Sequence, residues 1–174
     1  MSRARLIARI ALFAALVYVC SWMLAMIPNV KVTFFIIFTA GFVWGAPAGM
    51  LVGAVGTGLW SLFNPYGPVA IPILVAQVAG SALCGLVGTI FRSTGLYDGS
   101  TLFVRTALII CGLLCTLAYY LPVSAVDAWV FQPFRERLLA GIPWVGIALA
   151  SNAIIFPLLF GVARLLYDRE NARP

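Results

Sequence analysis

Apolar residues fill six stretches of this chain, roughly residues 6–27, 32–44, 48–63, 69–91, 102–121 and 143–166, separated by short polar or proline-bearing breaks. A helix that crosses the hydrocarbon layer of a bilayer needs about 20 apolar residues. The pattern therefore predicts an all-α integral membrane protein, a single domain over residues 1–174 with six transmembrane helices. The first run, Leu6 to Ile27, is broken only by Arg9 and stops at Pro28-Asn29, a turn signal. The second, Val32 to Trp44, is short for a crossing and is closed by Gly45-Ala46-Pro47; the third stops at Asn64-Pro65-Tyr66-Gly67-Pro68. In the fourth, Pro72 falls in the opening turns, where a missing amide donor is tolerated. Pro122 is expected to end the fifth helix, so that Val123–Ile142 forms the longest connection.

Composition agrees with that pattern. Hydrophobic residues make up 63% of the 174 and charged residues only 9%, against about 25% charged in soluble domains. A soluble enzyme, a nucleic-acid-binding domain and a disordered tail are excluded. The basic start, Arg3, Arg5 and Arg9, also suits a signal peptide, but the apolar run that follows is longer than the roughly 7–15 residues of a signal core. It is read as a retained span.

The net charge of +6 sorts sides rather than attracting nucleic acid. With both termini cytoplasmic, the inner side carries Arg3, Arg5, Arg9, Arg92, Arg105, Arg164, Arg169 and Arg173. The outer side keeps Lys31, Arg135 and Arg137. That asymmetry satisfies the positive-inside rule, and an odd number of spans would break it.

Candidate chemistry is sparse. On this topology the five acids, Asp98, Asp127, Glu136, Asp168 and Glu170, all fall in loops or the tail. No carboxylate or lysine is expected at mid-membrane to relay protons. There is no histidine, and no metalloprotease, serine-hydrolase or P-loop signature. The expectation is no catalytic residue, no metal site and no cofactor. Cys20, Cys84, Cys111 and Cys115 lie in apolar stretches and read as small packing residues. Gly49, Gly53 and Gly56 on the third span, and Ala76, Gly80, Cys84 and Gly88 on the fourth, offer smooth faces for close helix packing. Ala11 and Ala15, extended by Ala8, form a similar pair on the first span, which could pack internally or against another subunit.

What remains is a polar and aromatic set expected on the outer half: Asn29, Lys31, Trp60, Asn64, Tyr66, Gln77, Tyr119, Tyr120, Asp127, Trp129, Trp144, Ser151 and Asn152. Aromatics at a water interface often serve only as belt residues. A buried amide such as Gln77 or Asn152 needs a partner, either a neighbouring helix or a ligand. A planar solute held between aromatics and fixed by a few amide or charged contacts suits this inventory.

These segments resemble a known family. Ile27-Pro28-Asn29-Val30-Lys31 before an apolar run, GFVWGAPAGMLVG from Gly41 to Gly53, and Phe63-Asn64-Pro65-Tyr66-Gly67-Pro68 before a span with glutamine and glycines are similar to the substrate-binding S components of energy-coupling factor (ECF) vitamin importers. The likeness covers roughly residues 6–90. It implies a multi-pass subunit of the inner (cytoplasmic) membrane that captures a vitamin-like solute on the outer face. It also implies a membrane coupling (T) subunit and two cytoplasmic ATPases as partners, with the binding subunit toppling to release its cargo. The Ala-x-x-x-Ala docking motif of such proteins is matched by Ala11 and Ala15. The solute site would be built from the first, third and fifth connections and the outer halves of spans four to six. The very short first connection, Pro28 to Lys31, departs from the family pattern. Lys31, Arg135 and Arg137 could favour a carboxylate-bearing vitamin, although exposed loop cations are often plain surface charge. Two other readings stand beside this one: a membrane structural or assembly protein with no solute site, and a small self-sufficient permease. Tight solute binding separates the first reading from the assembly protein, and transport without partners identifies the permease.

Overall fold

The computed structural model describes residues 3–172; Arg173, assigned above to the inner side, lies outside them. Six helices follow in order: α1 (Arg3–Met23), α2 (Val32–Trp44), α3 (Ala46–Leu62), α4 (Ile71–Ser93), α5 (Thr101–Phe131) and α6 (Phe134–Asn171), with a 3-10 turn at Leu96–Asp98. No strand occurs among the described residues. Helices α1, α4, α5 and α6 are each long and apolar enough to cross a membrane, whereas α2 and α3 are shorter.

Helix α2 sits at the centre. It contacts each of the other five helices, and every residue from Thr33 to Val43 is buried. An apolar sequence with no polar side suits lipid or protein on every side, and here the neighbouring helices enclose it. Thirteen residues span about 20 Å, so α2 ends short of its long neighbours. The space left beyond its N-terminus is where the candidate site forms.

The α2–α3 hairpin reverses at Gly45, whose φ of 90° belongs to glycine, and Pro47 lies in the first turn of α3. Glycines then let backbones touch. A Cβ on Gly41 would strike the Gly85 carbonyl of α4, one on Gly53 would meet the Ser81 carbonyl at 2.6 Å, and one on Gly80 would lie 2.7 Å from the Tyr119 Cα of α5. The smooth faces read from sequence on spans three and four are internal seams. Gly56 likewise seats Val17 of α1. All four cysteines carry free thiols, and three are buried.

Both described chain ends meet at one end of the bundle, tied by an Arg9–Glu170 salt bridge of 2.6 Å. There Arg92 donates to the Val43 carbonyl, and the rings of Phe42, Phe91, Tyr97, Phe160 and Tyr167 pack together with centroids 4.9–6.5 Å apart. Phe38 and Phe156 continue this aromatic column toward the bundle's middle.

The chain departs from expectation in two places. Helix α1 stops at Met23, and Leu24–Ile27 form successive turns closed by Leu24 N–H to Cys20 O and Ile27 N–H to Leu24 O. The first connection is therefore longer than the apolar run implied, because hydropathy reports transfer to lipid and not helical backbone. The expected loop 123–142 is almost wholly helical: α5 continues through Pro122 to Phe131, and α6 begins at Phe134. A proline interrupts one backbone hydrogen bond, but in a membrane bundle neighbouring helices and local adjustments compensate. Asp127 and Glu136 accordingly lie on helices, as do Asp168 and Glu170 near the end of α6. At about 46 Å and 57 Å, α5 and α6 exceed a hydrocarbon layer of about 30 Å and form a hairpin over the end opposite the termini.

Candidate functional site

Two of the cavities that open at that end gather the expected residues. The first, of about 430 Å³, lies under the α5–α6 hairpin and is lined by Gln77, Tyr120, Asp127 and Trp144, together with Ser124, Phe131, Arg137 and others. The second, of about 150 Å³, occupies the space above the N-terminus of α2 and is lined by Asn29, Lys31, Trp60 and Tyr66, with Cys20, Ser21 and Thr33. Eight of the expected residues thus gather in two groups. A hydrogen bond from Tyr120 Oη to Asn29 Oδ1 links the two linings, and Asn29 adopts φ 58°, a left-handed conformation that asparagine tolerates. The Ser151 hydroxyl lies 3.4 Å from the Asn29 carbonyl, bringing α6 to the same loop.

The polar floor of the larger cavity continues between α3 and α4. Ser61 Oγ meets the Gln77 amide and donates to the Thr57 carbonyl, while Thr57 Oγ1 donates to Ser81 Oγ at 2.8 Å. This ladder satisfies groups that would otherwise be stranded in an apolar interior. At the mouth, Arg137 Nε donates to Asp127 Oδ2 at 2.9 Å, joining the two arms of the hairpin by a partly exposed ion pair.

In the smaller cavity, Tyr66 Oη donates to the Ala25 carbonyl at 2.8 Å, fastening the α3–α4 loop to the α1–α2 loop. Trp60 stands edge-on to Trp22. The Lys31 ammonium lies 5.4 Å from the Tyr119 ring centroid, and burial of this half-covered lysine lowers its pKa to about 8. A lysine that deprotonates early in the folded state is under-protonated relative to the unfolded chain between pH 8 and its ordinary value near 10.4. Stability is therefore expected to rise with pH across that window. Thermal melting of the detergent-solubilised chain checks this, and Lys31→Met should remove the rise.

Four expected residues lie elsewhere. Asn64 is consumed by its own loop, donating to the Gly67 carbonyl at 2.8 Å and accepting from the Tyr66 N–H. Trp129 is 67% exposed and lines neither cavity, because two residues along a helix from Asp127 is about 200° around its axis. Tyr119 is buried behind Lys31 against Phe34. Asn152 is fully buried within α6: its amide donates to the Ala148 carbonyl, and its Oδ1 has no partner among the described residues.

The sequence pattern does not single out Val123, Ser124, Phe131, Gly141 and Val145, and it offers Arg137 as a loop cation that could favour a carboxylate-bearing vitamin; all six line the larger cavity. Their signal is helical periodicity. Tyr120, Val123, Ser124, Asp127 and Phe131 recur at the spacing of one helix face, as do Arg137, Gly141, Trp144 and Val145. Stopping the helix at Pro122 hid both series.

Of the expected docking pair, Ala11 and Ala15 are both exposed on the flank of α1, beside the buried Ala14 and Val17. No metal-binding cluster of His, Cys, Asp or Glu is found among the described residues. The arrangement sets aromatic rings, amides, one carboxylate and cations around open volume.

Comparison with curated proteins and with solved structures returns no match. Comparison with family models matches residues 1–164 to the ECF-type riboflavin transporter, S component. Proteins of that family are substrate-binding transport subunits and not enzymes. With nearly the whole described bundle covered by one match, the chain belongs to the family of ECF-type riboflavin transporter S components.

Proposed function

We propose that this chain is a single six-span domain of the inner membrane with both termini cytoplasmic. It captures a riboflavin-like vitamin from outside in the two cavities at the end opposite its termini. The observation that carries the reading is the larger cavity, where Tyr120, Phe131 and Trp144 surround a volume edged by Gln77, Asp127 and Arg137, at the end of a chain whose family transports riboflavin. Riboflavin pairs a planar ring system with a chain of hydroxyls. The rings suit the aromatic walls, and the hydroxyls suit the amides and the Asn29–Lys31 corner. Charge supports the orientation: among the described residues Arg3, Arg5, Arg9, Arg92, Arg105, Arg164 and Arg169 belong to the terminal end, while Lys31, Arg135 and Arg137 belong to the other.

Energy would come from a membrane coupling subunit and two cytoplasmic ATPases. The exposed Ala11–Ala15 flank of α1 is the proposed contact with the coupling subunit. The test of the site is riboflavin binding to the purified chain, followed by flavin fluorescence. Gln77→Leu and Trp144→Ala are expected to weaken binding by about tenfold or more each, the size of a lost anchor. Trp129→Ala, on the same hairpin but outside both cavities, should leave it unchanged. Absence of riboflavin binding by the folded wild-type chain would refute the assignment.

A further inference from the structure

A third cavity, of about 210 Å³, lies at the terminal end between the start of α5 and the second half of α6, away from the vitamin site. Its rim carries two guanidinium groups. Arg164 is engaged, donating to the Tyr97 carbonyl at 3.0 Å and to Asp98 at 3.2 Å. Arg105 is exposed and has no hydrogen bond or ion pair among the described residues. Arg105, Arg164 and Asp98 together leave one positive charge uncompensated, which a single phosphodiester would balance. Thr101, at the first turn of α5, places a hydroxyl on the same rim.

Below the rim the lining turns apolar, with Leu108, Pro157 and Gly161 among it. Pro157 and Gly161 are one helical turn apart on α6, and a side chain at Gly161 would meet nothing within 4 Å. Beside this slot, Leu158, Val162 and Leu165 are 74%, 58% and 51% exposed, as residues facing acyl chains are. A cationic rim continuous with an apolar slot on the membrane face complements a phosphate joined to a hydrocarbon tail, whereas a soluble anion would leave the slot unused. Basic pockets between helices near a membrane surface take acidic lipid headgroups in this way.

We infer that the cleft between α5 and α6 binds one anionic phospholipid, its phosphate held by Arg105 and Arg164 and an acyl chain lying over Pro157 and Gly161. The inference does not depend on which vitamin the chain carries.

Native mass spectrometry of the full chain in detergent tests it, with phosphatidylglycerol and phosphatidylcholine of identical acyl chains supplied in equal amounts. Phosphatidylglycerol should be retained about fivefold over phosphatidylcholine, the ratio expected for one basic residue near a membrane surface. Arg105→Gln should bring the two lipids level while leaving thermal melting unchanged. Gly161→Leu, which fills the slot but keeps both cations, should lower phosphatidylglycerol retention by a similar factor. Equal retention by the wild type, or no response to either substitution, overturns the inference. Displacement of the lipid by glycerol phosphate at matching concentration also overturns it, since the site would then belong to a soluble anion.

Discussion

Tryptophan in place of Ala11 or of Ala15 is expected to abolish riboflavin uptake in cells that supply the coupling subunit and ATPases, while the purified variant binds riboflavin like the wild type. Of the residues in α1, only Ala14 and Val17 are buried, against α3. Ala11 and Ala15 are exposed beside that seam, so an indole at either position is expected to stay on the surface and leave both cavities intact. Helices in lipid gain most of their association energy from close backbone approach across small residues, because the solvent is as apolar as their side chains. An indole on the flank would hold a partner helix several ångströms away and remove that contact. Uptake that survives both substitutions would remove the docking role from this flank. Parallel loss of binding would mean that α1 had shifted, and the melting temperature would show it.

The second large effect concerns glycine. Alanine normally stabilises a helix interior relative to glycine by about 0.5–1 kcal/mol. At Gly146 the new methyl has open space, and that ordinary gain is expected. At Gly85 the sign should reverse: a Cβ would overlap the Gly49 carbonyl group and sit 2.6 Å from the Met50 nitrogen. These are backbone atoms, which cannot rotate aside. Helices α3 and α4 would have to separate, and the Gly41 contact on α2 would open with them. Gly85→Ala is expected to cost about 3 kcal/mol, the upper range of ordinary overpacking. Melting of the two variants in the same detergent checks the contrast, and equal shifts would mean that the three-helix seam is looser than its contacts indicate.

Much of this arrangement could be read from residue order because the bilayer removes alternatives. With no water for the backbone, a segment that crosses the bilayer must be helix or closed barrel, and α2 has the bounds its hydrophobic run gave, Val32 to Trp44. Glycine spacing likewise anticipated the seams. The reading failed where a local rule met tertiary support. Pro122 was expected to end a helix, but it lies inside α5, and an expected loop became a helical hairpin. That single difference concealed the faces of α5 and α6 that line the larger cavity. Side-chain destinations were legible only when the local sequence did not compete for them. Asn64 closes a turn on itself because asparagine oxygens and amides readily mimic backbone partners, whereas Asn29, in the neighbouring loop, bonds across to α5. Nothing in a linear pattern separates these two asparagines.

The aromatic column bears on the electrical tightness of the membrane. Phe38, Phe42, Phe91, Phe156 and Phe160 are each no more than 6% exposed and pack ring against ring through the half of the bundle nearest the termini. A hydrated ion or a wire of water molecules would need a continuous row of polar partners through that region, and five hydrocarbon rings provide none. The protein can hold open cavities on one side and is still expected to act as an insulator. A cell could insert many copies without an ohmic leak, and its proton gradient would remain available for other work.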